Sequence, residues 1–322
     1  MKKQILFFGL VFCFLNVFSQ SKEIIILSDS VNFYRELSLK APEEELRYSY
    51  NVQVQAFLEA MLYSKNAVNQ NFEDLKSISV IISQDKRIRL ATWMIPKDNR
   101  QQEYFGFLQV FDPKAGTFSL YNLNDYRVNL FNPERQILDP NTWYGAVYYQ
   151  IIQVENSSKK NVYTLLGWNQ NDIFTDIKLI EILSFKPTGQ PQFGANMFKN
   201  SPFKGNRIIF KYHKGASFNL NFEKHRFYTG KKDSQGKSIE EETQIIVFEQ
   251  LIPVEEKFVK IPEFYTPESS MMQGFVYNDG KWTFIPSIIS GRDIKIKNVK
   301  ISDPSKVQLK EKDIKKRNWY QP

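Results

Sequence analysis

Cysteine is nearly missing from this chain: among 322 residues there is one, Cys13, and it lies inside an apolar stretch close to the N-terminus. A chain cut after that stretch has no disulfide, no thiol nucleophile and no cysteine metal ligand. Histidine is almost as scarce. His213 and His225 are the two present, and neither belongs to a His-Glu-x-x-His zinc pattern. No Gly-x-Ser-x-Gly elbow, Walker loop or Gly-x-Gly-x-x-Gly turn occurs, so the motif signatures of serine hydrolases, P-loop enzymes and dinucleotide enzymes are lacking. Past Leu15 no apolar run approaches the ~20 residues of a spanning helix. No fixed internal period is seen, which argues against a propeller.

What is present begins with a leader. Lys2 and Lys3 precede the almost unbroken apolar run Ile5 to Leu15, and Asn16-Val17-Phe18-Ser19-Gln20 then turns polar. This order predicts a secretory signal peptide over residues 1–20, cleaved near Ser19 or Gln20. The run is too short for a membrane anchor. Leu10-Val11-Phe12 before Cys13 are too large for a lipid-attachment site. Residues 292–322 hold ten Lys or Arg against four Asp or Glu, so with Lys2 and Lys3 they account for the net charge of +8. The reading is a near-neutral body over 21–291 and a basic C-terminal tail over 292–322, with a softer boundary near 124–141, where Asn132-Pro133 and Asp139-Pro140 break regular structure. Such a body is long enough to be held by burial alone.

Pro42 followed by Glu43-Glu44-Glu45 suits a helix start, and Leu46, Tyr50, Val54, Phe57, Leu58 and Met61 follow with helical spacing. The spacing predicts a helix from about Pro42 to Lys65. Strand patterns dominate elsewhere, with turns at Gln84-Asp85-Lys86, Asp112 to Gly116, Asn156 to Lys160, Asn169 to Asp172 and Asn278-Asp279-Gly280. Trp143 to Val154 reads as a central strand covered on both faces, and the polar stretch Lys231 to Glu242 as an exposed loop. The expected fold is mainly β: antiparallel meanders in one or two twisted sheets, with one N-terminal helix packed against a sheet. Lys178 and Glu181 on the strands argue against an outer-membrane barrel.

Candidate chemistry is thin. Ser201-Pro202-Phe203-Lys204 matches Ser-x-x-Lys and Ser217-Phe218-Asn219 matches Ser-x-Asn. They lie too close together for a penicillin-recognising enzyme, and no Lys-Thr-Gly follows. Glu181, Glu223 and Glu249 are the carboxylates that a glycosidase reading would draw on, without a spacing that pairs them. Trp143, Tyr144, Tyr148 and Tyr149 form the densest aromatic group. They suit stacking on a sugar, a peptide groove, or ordinary strand burial. Lys295, Lys297 and Lys300 are the tail cations that would meet an anionic surface, unless they only solvate it. No metal site, cofactor or catalytic residue is expected, and export argues against nucleic acid as a partner.

The stretches Trp143 to Tyr149, Tyr163 to Asn169, Ile245 to Pro253 and Gly280-Lys281-Trp282 resemble a group of exported β-rich proteins of Bacteroidota. Phe18-Ser19-Gln20 and Asp29-Ser30-Val31, which looks like a short O-glycosylation acceptor of that phylum, fit the same resemblance. Members more often carry Phe-Asp-His-Leu-x-Pro where this chain has Phe248-Glu249-Gln250-Leu251-Ile252-Pro253. The leader implies a periplasmic or outer-membrane-associated protein, with secretion as the alternative, and the resemblance implies no enzymatic activity. It extends to accessory subunits of the type 9 secretion translocon, where a periplasmic β-rich subunit can plug a large outer-membrane channel. The expected function is therefore protein–protein binding in the cell envelope; the alternative is a carbohydrate-binding or carbohydrate-active exported protein.

Overall fold

The computed structural model describes residues 22–64 and 70–289. The signal-peptide expectation and the tail cations Lys295, Lys297 and Lys300 lie outside the described residues. Two helices come first, α1 over 22–40 and α2, Glu44–Tyr63. The predicted helix is thus found two residues inside its expected bounds, and a second one precedes it. Strands follow almost without interruption, so the chain is mainly β as its alternation implies.

The strands form three hydrogen-bonded sheets rather than one or two. The first is a meander of β1 (Ser79–Ile82), β2 (Ile88–Pro96), β3 (Gln102–Asp112) and β4 (Thr117–Asn124). The second contains β5 (Val147–Glu155), β6 (Asn161–Asn169), β7 (Thr175–Phe185) and β10 (Ile208–His213) in the order β10-β7-β6-β5, with β8 (Pro191–Phe193) beside β7. The third runs β15-β11-β12-β13-β14-β9, from β11 (Leu220–Lys232), β12 (Ser238–Pro253), β13 (Tyr265–Asn278), β14 (Lys281–Ile285), β15 (Ile288–Ile289) and β9 (Phe198–Lys199). All pairs are antiparallel except β14 with β9.

Period-two alternation stacks these elements into layers, because successive side chains of a strand face opposite sides. Ala91, Trp93 and Phe107 point to the helices and meet Val54, Leu58 and Met61. Leu90, Tyr104 and Leu108 point the other way, onto Tyr148, Tyr163, Leu165 and Leu179 of the second sheet. That sheet's opposite face, Leu166, Ile180 and Ile182, packs on Ile246, Phe248, Phe275 and Trp282 of the third. The order is helices, sheet, sheet, sheet. The segment 124–141 crosses between the first two sheets in three one-turn 3-10 helices, and a single apolar cluster spans both sides of it.

Two local expectations change. The central strands are β6, buried from Val162 to Gly167, and β7; β5 lies at the end of its sheet, with side chains packed on both faces but mostly half-buried. Lys231 to Glu242 is not a loop but the end of a long β11–β12 ribbon that turns at Asp233 to Lys237. Its polar composition reads as loop because neither face of the ribbon is covered. Lys224 pairs with Glu242 at 3.0 Å across it, so cross-strand charge replaces burial there.

Candidate functional site

Two strand edges create the main concavity. β10 is the last strand of the second sheet, so one side of its backbone has no hydrogen-bonded strand, although β13 and the Pro262–Phe264 turn lie nearby. β12 outruns β11, whose ladder stops at Leu220↔Phe248, so β12 from Glu249 onward is also unpaired on that side. Between these edges lies a cleft of about 750 Å³. Ile209, Phe210 and Lys211 form one wall and Phe248, Glu249, Gln250 and Leu251 the other. Consecutive residues line each wall, as expected where a strand presents its edge rather than a face.

The floor is aromatic. Phe203 meets Phe210 edge-on at 5.2 Å, and Phe210 meets Phe248 at 4.7 Å, separations at which aromatic pairs attract. The charged groups are held by structure. Lys211 Nζ lies 3.8 Å from Asp172 and 3.6 Å from Glu263. Asp172 is partly desolvated, which pushes its carboxyl up. Donation from Phe174 N, Thr175 N and Thr175 Oγ1, with the Lys211 charge, outweighs that and holds it below the ordinary 3.8. Glu249 is 6 % exposed, and its Oε2 accepts from Asn219 N at 2.9 Å.

Three loops form the rim, and each exposes apolar side chains. Phe131 is 81 % exposed, two residues before Pro133 in the cleft wall. Ile173 and Phe174, the latter 61 % exposed, lie in the β6–β7 turn next to Asn171. Val259, Ile261 and Phe264 are exposed on the β12–β13 connection, which also supplies Lys260 and Pro262 to the cleft. Lys211 ties the last two loops together by bridging Asp172 to Glu263, and Lys214, just past β10, donates its N–H to Phe174 O at 2.9 Å.

A buried ion pair fixes the remaining wall. Arg207 Nε donates to Glu181 Oε2 at 2.8 Å with both side chains fully buried. The same guanidinium donates to the carbonyls of Pro133, Gln136 and Phe193. Burial pushes the Glu181 carboxyl up, opposed by the charge and hydrogen bond of Arg207 and by Ile182 N–H. Glu181, one of the carboxylates picked out by type, is thus a structural anchor for the 133–136 segment.

The aromatic candidates divide. Trp143 and Tyr148 are fully buried, with Trp143 Nε1 donating to Tyr148 Oη at 3.0 Å. Burial drives the Tyr148 phenol well above its ordinary value. Tyr149 donates to Leu220 O at 2.8 Å and carries Lys178 Nζ over its ring at 4.4 Å, a cation–π contact. The Leu220 bond joins the second sheet to the third. Tyr144, mostly buried, is the one of the four that reaches the cleft. Glu249, singled out by type as a carboxylate, also lines the cleft; the floor aromatics Phe203, Phe210 and Phe248 were not expected as a site. They are scattered along the chain, and each reads as ordinary strand or loop material.

The other sequence candidates have local roles. Glu223 contacts His225 at 2.9 Å on the exposed ribbon. His213 Nδ1 accepts from Gly215 N. In Ser-x-x-Lys, Lys204 Nζ donates to Ser201 O at 3.1 Å and Ser201 Oγ accepts from Phe203 N, so the motif is a turn. Ser30 is part of α1 and donates to Ile26 O at 2.8 Å. Among the described residues no group of three or more His, Cys, Asp or Glu is placed to hold a metal ion. No helix among them is long and apolar enough to cross a membrane. No protein-family model, curated protein or solved structure matches this chain.

Proposed function

We propose that this chain is a non-catalytic cell-envelope protein that acts by binding another protein at the cleft between its second and third sheets. The observation that carries the reading is the rim: the loops that supply Pro133, Asn171, Lys260 and Pro262 to one amphipathic cleft also expose Phe131, Ile173, Phe174, Val259, Ile261 and Phe264. Clustered apolar surface around a concavity is costly in water and is the usual mark of a docking site. The cleft's ionisable groups agree with it. Lys211 is shared between Asp172 and Glu263, and Glu249 accepts a backbone N–H, so they serve as fixed polar anchors rather than a poised acid–base couple.

The leader pattern at residues 1–20 supports a location in the periplasm or at the outer membrane. The resemblance to translocon accessory proteins makes an outer-membrane secretion channel the partner to test first. Purification of the tagged chain from its native cells in gentle detergent should yield a stoichiometric partner. Phe174→Ser combined with Val259→Ser should release that partner while leaving the circular dichroism spectrum unchanged. Elution of the wild-type chain alone would sink the reading. Saturable binding to a polysaccharide on a glycan array, with no protein partner, would replace it with the carbohydrate alternative.

A further inference from the structure

The partner's chemistry can be narrowed, on the premise that the protein-binding reading is right. We infer that the cleft takes an extended segment of the partner polypeptide, which adds as a strand to the outer edge of β10 and brings a lysine or arginine to Glu249. Three features converge on this.

The first is an open ladder. From Ile208 to Tyr212, β10 pairs with β7 alone, and no other described residue hydrogen-bonds to its backbone. In an antiparallel strand every second residue then aims an N–H and a C=O outward. Ile209, Phe210 and Lys211 line the cleft on that side, beside the Pro262–Phe264 turn. Unpaired backbone groups beside a concave surface are what an added strand satisfies. The facing wall has the same property, because β12 has no β11 partner beyond Phe248.

The second feature is the charge left over in the wall. Glu249 is nearly buried, its Oε2 bonds a neutral N–H, and among the described residues no Lys or Arg pairs with it. Of the two lysines that line the cleft, Lys211 is engaged by Asp172 and Glu263, and Lys260, on the β12–β13 connection, forms no ion pair with Glu249. A carboxylate with most of its surface withdrawn from water gains from a cation brought to its open side. A lysine or arginine supplies one while laying its apolar stem along the walls.

The third feature is the aromatic floor of Phe203, Phe210 and Phe248, which suits an apolar side chain of the same segment. A strand carries side chains to both sides in alternation, so one short extended segment can serve ladder, carboxylate and floor together.

Selection of phage-displayed random dodecapeptides against the full chain tests this before any partner has been identified. Enriched peptides should share a lysine or arginine beside an apolar residue and lack proline in their common core. N-methylation of such a peptide, one residue at a time, should weaken binding by about tenfold or more at every second position, where a ladder N–H is lost, and little between them. Glu249→Gln should weaken basic peptides and leave their lysine-to-glutamine versions nearly unchanged. Enrichment without a basic residue, or N-methyl effects without a two-residue period, would overturn the inference. So would a failure to enrich any peptide. If the tagged protein still retains a partner in cells in those cases, protein binding survives and only the strand-addition mode falls. If neither peptide nor partner is found, both fall.

Discussion

Replacing Arg207 by methionine should be among the most damaging substitutions in this protein, and its damage should depend on pH. The change removes the cation that faces Glu181 at 2.8 Å in a fully buried setting. Breaking such a pair from one side costs about 3–5 kcal/mol. The carbonyls of Pro133, Gln136 and Phe193 also lose a donor, at about 1–3 kcal/mol for each that water does not reach. Burial already holds the Glu181 carboxyl above its ordinary 4.5 against the pull of Arg207. Without the guanidinium it rises further. A folded-state pKa above the unfolded one favours the folded protein at pH below the unfolded value, and the advantage is lost as pH climbs through the folded value. The variant should therefore be penalised more near pH 7 than near pH 5, and its trend should exceed that of the wild type. Urea unfolding followed by tryptophan fluorescence at both pH values measures it. The double variant Glu181→Leu, Arg207→Met removes the lone charge and should recover part of the loss, leaving the cost of the carbonyls. A single-variant loss under about 1 kcal/mol, equal at both pH values, would refute the assignment of this pair as a buried, mutually dependent anchor.

Three further outcomes are expected. Asp85 is pushed up by burial, but donation from Ser83, Tyr163 and Arg87 N–H and the Arg87 charge outweigh this and hold it below 3.8; its contribution is present above that value and fades as pH falls through the lower folded value, so Asp85→Asn should flatten the acid limb of the unfolding curve. Gly280 has φ +74 and an added Cβ would lie 2.4 Å from Ser157 N, so Gly280→Ala should cost about 1 kcal/mol or more and loosen both hairpin turns in hydrogen exchange. Ending the chain at Ser290 removes the tail's charge of +6, the ten Lys or Arg less the four Asp or Glu of residues 292–322; affinity for anionic lipid vesicles should fall and lose its salt dependence while the melting temperature stays put, and unchanged binding would assign those lysines to solvation alone.

The order of elements was open to reading because it depends on local rules. Alternation marks the strands, Asn278-Asp279-Gly280 makes a hairpin whichever sheet it joins, and Pro42 with the glutamates after it starts a helix anywhere. Helix α1 escaped because its inward stripe is interrupted. Arg35 and Ser38 are buried alongside Ile24 and Val31; Arg35 Nε and Nη2 donate to the carbonyls of Ser77 and Met94 and Ser38 Oγ donates to Arg47 O, partners that do not exist until α2 and the first sheet are in place. The outer end of the β11–β12 ribbon, Lys231 to Glu242, escaped for the opposite reason, since it has no buried face to impose alternation. Of the aromatic cluster, sequence could say only that it was dense; packing put Trp143 and Tyr148 in the core and left Tyr144 at the cleft. The cleft itself is assembled from residues in the stretches 133–144, 171–177, 202–211 and 248–273. Periodicity within each stretch reports which residues are apolar, and hence the strands. Which strand is left at a sheet's edge, and which other edge it faces, depends on pairing between distant stretches, and only the tertiary structure decided that.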